Sequence, residues 1–113
     1  MTRPSEFLDF TLELLAPLRN VRARAMFGGH GIYQGEVMFA IVVGDQLYFK
    51  ADNITRQAFT AQGLAPFTYV ARGKTHTLQY YEAPPEVFEE PEAMQTWAKQ
   101  AVGVALKAKR GKK

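Results

Sequence analysis

The amino-acid sequence predicts an α+β fold, a two-layer sandwich in which helices pack against one antiparallel sheet. Residues 26–50 contain three runs rich in β-branched and aromatic side chains, separated by glycine-containing pairs of about the length of a hairpin loop. Two further alternating runs follow residue 66 and are joined by another short turn. Segments with helical spacing lie before, between and after these groups. The predicted order is helix, three strands, helix, two strands, helix.

The first helix is predicted over residues 5–15, where apolar side chains fall on one stripe. Pro17 ends it, because the residue before a proline is pushed away from helical dihedrals. Residues 21–27 alternate weakly, which favours a short strand or an extended lead-in. Arg22 and Arg24 are two positions apart and therefore lie on one face of this segment.

Residues 28–31 form a glycine-rich segment that contains Gly28, Gly29, His30 and Gly31. Its spacing matches neither of the known glycine-rich phosphate cradles, and a strand rather than a helix follows it. The glycines are interpreted as residues needed for positive dihedrals or a bulge where the chain enters the sheet. The segment is also a candidate interaction surface.

The middle strand and the second helix are predicted from apolar pattern and capping. Residues 37–43 are apolar at every position, so this strand should have both faces covered or should lie centrally in the sheet. A helix is predicted over residues 53–62, with Asp52 as its cap and Gly63 as its stop. Three apolar side chains are expected on its buried side: Ile54, Ala58 and Ala61.

The second hairpin and the last helix complete the predicted fold. Residues 67–71 and 75–81 alternate at strand period, with a turn between them. Pro91 is suited to the first position of the last helix. Six side chains form its predicted core-facing stripe: Met94, Trp97, Ala98, Ala101, Val102 and Ala105.

The net charge of +3 is concentrated at the end of the chain. Residues 1–106 hold 9 basic against 11 acidic side chains, so the body is mildly acidic. We predict a domain over residues 1–106 and a basic, flexible tail over residues 107–113. Such an end is typically solvated, and phosphate contact is the alternative. Five tail residues carry the charge: Lys107, Lys109, Arg110, Lys112 and Lys113.

Composition argues against several classes of function. The chain has no cysteine, which removes disulfides and thiolate chemistry and fits a cytoplasmic location. Its longest apolar run, residues 37–43, is too short to span a membrane. His30 and His76 are the only histidines, and neither has ligands at metal-site spacing. No catalytic, cofactor-binding or metal-binding residue is predicted, and no basic residues are interleaved with the aromatic ones as in a single-strand nucleic-acid groove.

Several short motifs resemble the N-terminal domain of the TfoX/Sxy family, over about residues 5–106. They are Met26-Phe27-Gly28-Gly29-His30-Gly31, Leu47-Tyr48-Phe49-Lys50 and Tyr80-Tyr81-Glu82-Ala83-Pro84. The resemblance implies an α+β fold and a bacterial regulator of natural competence, acting on transcription together with the cyclic-AMP receptor protein. The full-length regulators carry a second, helical domain, and this chain is expected to be a single-domain member. The family supplies no catalytic or ligand residues.

These observations favour a non-enzymatic cytoplasmic regulatory domain that acts by protein contact, through an exposed sheet edge or the glycine-rich segment. The expected partner belongs to the transcription machinery or is a transcription factor, and a homodimer is a further arrangement. One alternative is direct nucleic-acid binding through Arg22, Arg24 and the basic tail. Another is a small-molecule pocket near His30 and Tyr33.

Overall fold

Six strands and three helices make up residues 6–26 and 28–111, the part of the chain described by a computed structural model. The helices are α1 (Glu6–Leu15), α2 (Arg56–Thr60) and α3 (Pro91–Gly111). The strands are β1 (Val21–Met26), β2 (Gly29–Gln34), β3 (Val37–Val43), β4 (Gln46–Lys50), β5 (Pro66–Ala71) and β6 (Lys74–Glu82). Short 3-10 turns, Ala16–Leu18 and Pro85–Phe88, follow α1 and precede α3. The predicted α+β fold and helix order are confirmed.

The strands form one antiparallel sheet in the order β1-β2-β3-β4-β6-β5. Residues 21–27 are predicted as a short strand or a lead-in. Of these, residues 21–26 form the edge strand β1, so four strands precede α2, and residue 27 lies outside the described residues. After α2 the chain enters at the opposite edge as β5 and returns as β6, which pairs with β4. The predicted central position of residues 37–43 is confirmed, because β3 has a paired strand on each side.

All three helices pack against one face of the sheet, here called the helix face. Ladder partners in an antiparallel sheet share a face, and a row of buried ladder partners crosses the strands: Ile32, Ala40, Phe49 and Tyr81. Buried side chains of α1 and α3 complete this core, including Leu8, Leu15 and Met94. The predicted stripe of α3 is confirmed, with Trp97 half-buried at its margin.

Helix α2 begins later than predicted, because Asp52 caps a turn that precedes it. The Asp52 carboxylate accepts hydrogen bonds from the backbone N–H groups of Ile54 and Thr55, at 3.0 and 2.7 Å. The α-helix therefore begins only at Arg56. Since each residue of a helix turns by about 100°, a later start changes which side chains face the sheet.

The buried side chain of α2 is Phe59, and the predicted buried side is wrong. Ile54 is 70% exposed, and Ala58 and Ala61 are exposed as well. Phe59 is fully buried, with its ring centroid 5.5 Å from Tyr81 and 5.0 Å from Trp97. One aromatic side chain thus fixes this short helix to the core.

Helix α3 continues through residue 111, beyond the predicted domain boundary at residue 106. Lys107, Lys109 and Arg110 are exposed near its C-terminal end, where positive charge is favourable to the helix dipole. Lys112 and Lys113 lie outside the described residues, and the flexibility of residues 107–113 stays a prediction. None of the described helices has the length and apolar character needed to cross a bilayer.

Candidate functional site

The glycine-rich segment is shaped by close packing where the chain enters the sheet. Gly28 has a φ of +78°, a dihedral that glycine adopts without strain. A Cβ on Gly29 would collide with the backbone carbonyl oxygen of Val42, and one on Gly31 would lie 2.5 Å from the Met38 sulfur. The positive φ accounts for Gly28, and close packing accounts for Gly29 and Gly31. The segment's role as an interaction surface stays a prediction.

His30 is half-buried on β2 and lines a small hollow beside α1. The hollow holds about 170 Å³ and includes Asp45, but His30 and Asp45 form no hydrogen bond with each other. Pockets for small molecules usually hold about 300–1,000 Å³. The strand alternation also places Tyr33 on the sheet face opposite to His30. Within residues 6–26 and 28–111, no cluster of three or more histidine, aspartate or glutamate side chains could hold a metal ion.

The sheet face opposite the helices carries aromatic and basic side chains and is here called the aromatic face. Its main members are Arg22, Arg24, Tyr33, Tyr48, Lys50, Phe67, Tyr69, His76 and Tyr80. On the β4, β5 and β6 side, neighbouring rings contact each other in sequence. Centroid distances are 5.2 Å for Tyr48 and Phe67, 6.2 Å for Phe67 and Tyr69, and 5.1 Å for Tyr69 and His76.

Basic groups lie directly over the tyrosine rings of this face. The guanidinium carbons of Arg22 and Arg24 lie 5.2 and 5.9 Å from the centroid of the Tyr33 ring. The Lys50 ammonium lies 5.0 Å from the centroid of Tyr80. Cation–π contacts of this kind hold the charged groups close to the sheet. The prediction that basic and aromatic residues are not interleaved is therefore wrong in three dimensions, because strand pairing places Arg22 opposite Tyr33.

Tyr80 is a buried tyrosine of the aromatic face and the ladder partner of Lys50. Its side chain is 6% exposed, and its hydroxyl donates a hydrogen bond of 3.4 Å to the carbonyl oxygen of Met38. Burial raises the pKa of Tyr80 to about 12, with a smaller contribution from the neighbouring Tyr33. Tyr80 is therefore neutral at physiological pH and acts as a packing residue.

The end of α3 lies beside the turn between β2 and β3. The Lys109 ammonium is 3.0 Å from the Glu36 carboxylate in that turn. The hydrogen bond and the charge of Lys109 lower the pKa of Glu36, and the charge of Arg22 acts in the same direction. Arg22 also donates a hydrogen bond to the carbonyl oxygen of Gly35. The two basic groups predicted from sequence, on β1 and at the end of α3, thus flank the same turn.

A groove of about 420 Å³ runs along the other side of the α3 end. Lys50, Asp52 and Lys107 contribute to its lining. Hydrogen bonds, led by the one from the Thr55 backbone, lower the pKa of Asp52, and the Lys107 charge adds to the effect. The groove holds charges of both signs, so it is not a simple basic patch.

Strand β5 is one edge of the sheet and is uncharged along its whole length. Among the described strands it pairs with β6 alone, so its other side is an edge of the sheet. Val70 is 71% exposed. A groove of about 370 Å³ follows this edge and is lined by Phe67, Tyr69, Val70 and Ala71. The opposite edge, β1, differs because it carries two arginines.

Comparison with known proteins gives one family and one curated relative. The family model described as the TfoX N-terminal domain matches residues 13–105. The chain is also 27% identical over 97 residues to Protein Sxy of Escherichia coli (strain K12). That match covers 86% of this chain and 46% of the relative, so the chain spans about half the length of Protein Sxy.

Proposed function

The chain belongs to the TfoX N-terminal domain family, and from this premise we propose that it is a non-enzymatic regulatory domain acting on competence-related transcription through protein contact. The contact surface is the β5 edge. The partner offers an extended, apolar segment that adds to the sheet as a further strand. This partner belongs to the transcription machinery or is a transcription factor, as the family resemblance implies.

The proposal rests on the composition of the β5 edge, which lacks the charged side chains that would prevent pairing with another strand. An edge strand presents backbone N–H and C=O groups that can pair with another strand, and proteins commonly guard such edges with charged side chains or proline. Strand β5 contains a proline only at its first residue, Pro66, and no charged residue after it. An edge of this composition is suited to strand addition.

The side chains of the edge indicate what the added strand must carry. Phe67 and Tyr69 lie towards the aromatic face, whereas the strand alternation sends Val70 towards the opposite side. Both sides of an added strand would therefore contact apolar or aromatic groups. An apolar segment would bury them, while a highly charged one would lose hydration without gaining a counter-charge.

Photo-crosslinking in living cells tests the proposal. A photoreactive amino acid replaces Val70 in one variant and Ile54 in a matched control, since the two residues are 71% and 70% exposed. We expect position 70 to crosslink a transcription-associated protein and position 54 to give no such product. Identical products at both positions, or none at position 70, would contradict the proposal.

A product containing two copies of the chain would be a different outcome. It would assign the β5 edge to a homodimer and would overturn the proposal of a heterologous partner. Light scattering of the purified chain over a range of concentrations distinguishes this case, because strand pairing between copies makes the mass depend on concentration.

A further inference from the structure

We propose that the aromatic face binds single-stranded nucleic acid. Arg22, Arg24 and Lys50 contact the phosphate backbone, and the exposed rings of the face stack with bases. This goes beyond regulation by protein contact. It uses the aromatic face of the sheet, of which Phe67 and Tyr69 also line the groove along β5.

The charges of Arg22 and Arg24 support this assignment. Arg22 and Arg24 are exposed, and within the described ranges no carboxylate lies in ion-pair range of either guanidinium. Both are positioned over the Tyr33 ring, which limits the conformational freedom lost when they bind a ligand. Guanidinium groups bind phosphate oxygens with two parallel hydrogen bonds. Their side of the sheet therefore complements a phosphate backbone.

Several aromatic rings on the same face also support the assignment. Tyr33, Tyr48 and Phe67 are half-buried, and Tyr69 is 39% exposed. They lie on β2, β4 and β5. The sheet curls across this face, because Phe67 of β5 lines a small hollow together with Met26 of β1 and Ile41 of β3, so the rings of β5 lie near the β1 side and a single strand held in the curve would meet several of them. Many proteins bind single-stranded nucleic acid by stacking its bases on aromatic side chains that lie next to basic groups.

Two carboxylates limit the basic region. Glu36, in the turn between β2 and β3, pairs with Lys109, and the charge of Arg22 also helps to lower the Glu36 pKa. The second carboxylate, Glu82, lies on the aromatic face itself. Glu82 is the ladder partner of Tyr48, and its carboxylate accepts a hydrogen bond of 3.0 Å from the backbone N–H of Ala65. Glu82 lies on β6, whereas the two arginines lie on β1. Phosphate contacts are therefore expected near β1 and β2, with stacking extending towards β5.

The shape of the surface favours a single strand over a duplex. The described helices all lie on the helix face, so none projects from the aromatic face into a duplex groove. The bases of a duplex are already stacked and would leave the rings unused. A single strand can use both the arginines and the rings.

Fluorescence anisotropy with labelled oligonucleotides tests this inference. A 12-nucleotide RNA, a DNA single strand and a DNA duplex of equivalent sequence are titrated at several salt concentrations. We expect both single strands to bind more tightly than the duplex. With three phosphate contacts, log affinity should fall with log salt at a slope of about −2. The RNA and DNA single strands then show which sugar is preferred.

Two pairs of substitutions locate the binding. Removing two contacts with Arg22→Gln and Arg24→Gln should reduce the slope by about 1.4. The matched control, Lys99→Gln with Lys107→Gln, removes the same charge from exposed positions of α3 and should leave most of the slope. Tyr48→Leu should weaken binding about fivefold or more, because one stacking ring is lost. Circular dichroism and thermal unfolding confirm that each variant is folded.

Several outcomes would overturn the inference. They are absence of binding at low salt, duplex binding as tight as that of the single strands, and equal loss of affinity in the arginine pair and the lysine control. Competition by polyglutamate as effective as that by RNA would point to an acidic protein partner instead.

Discussion

Two neighbouring glycines of β2 differ in what an added methyl group would meet. At Gly29 it would collide with a backbone carbonyl group, which cannot move without disturbing β3. At Gly31 it would meet the sulfur atoms of Met38 and Met26, at 2.5 and 2.7 Å, which lie on flexible side chains. We expect Gly29→Ala to lower the free energy of unfolding by about 1–3 kcal/mol, and Gly31→Ala by less. Urea unfolding measures both, and equal losses would contradict this distinction.

Tyr80 should make the stability of the folded chain depend on pH in the alkaline range. The pKa of a tyrosine is about 10 in an unfolded chain, whereas burial raises that of Tyr80 to about 12 in the folded chain. The neutral form is therefore favoured by folding. Its contribution to stability is complete below pH 10 and is lost as the pH rises towards 12.

Tyr80→Phe isolates this contribution. Between pH 9 and pH 11 the free energy of unfolding of the original chain should fall by roughly 1 kcal/mol more than that of the variant. Urea unfolding followed by circular dichroism measures the difference. The same decline in both proteins would show that the Tyr80 hydroxyl is not protected from ionisation.

Helix α2 shows how one aromatic residue can hold a five-residue element in place. Phe59→Ala should lower the free energy of unfolding by about 3–5 kcal/mol, since a fully buried ring is removed. Ile54→Ala should change it by less than about 0.5 kcal/mol, because that side chain is largely exposed. Denaturant unfolding of the two variants distinguishes the observed packing from the packing predicted by sequence, which would reverse their order.

Elements differ in how far the sequence specifies them. The long apolar stripe of α3 repeats over several turns, so one misplaced boundary does not change its buried face. Helix α2 is too short for its buried face to be identified from a repeating pattern. The turn capped by Asp52 makes the helix begin later than predicted, and the later start changes which side chains are buried. Hairpins with short turns were predictable because their pairing is local.

At the scale of the whole molecule, contacts between distant segments decide where function can lie. Strand β6 lies between β4 and β5, so β5 rather than β6 becomes the edge. This order depends on pairs such as Phe49 and Tyr81, which local pattern does not reveal. The basic and aromatic residues of the aromatic face likewise meet only through strand pairing. The fold class, an exposed sheet edge and the shared face of Arg22 and Arg24 were therefore predictable, whereas the identity of the uncharged edge and the rings around the arginines were not.

Transcription in the cell tests whether the uncharged β5 edge is the regulatory contact surface. A strain lacking the chain receives the original protein, Val70→Lys or Ile54→Lys, at equal protein levels. Transcripts of the competence genes are then counted. Because a lysine guards an edge strand against pairing, Val70→Lys should restore few of these transcripts, while Ile54→Lys should restore them as the original protein does. Full restoration by Val70→Lys would contradict the claim.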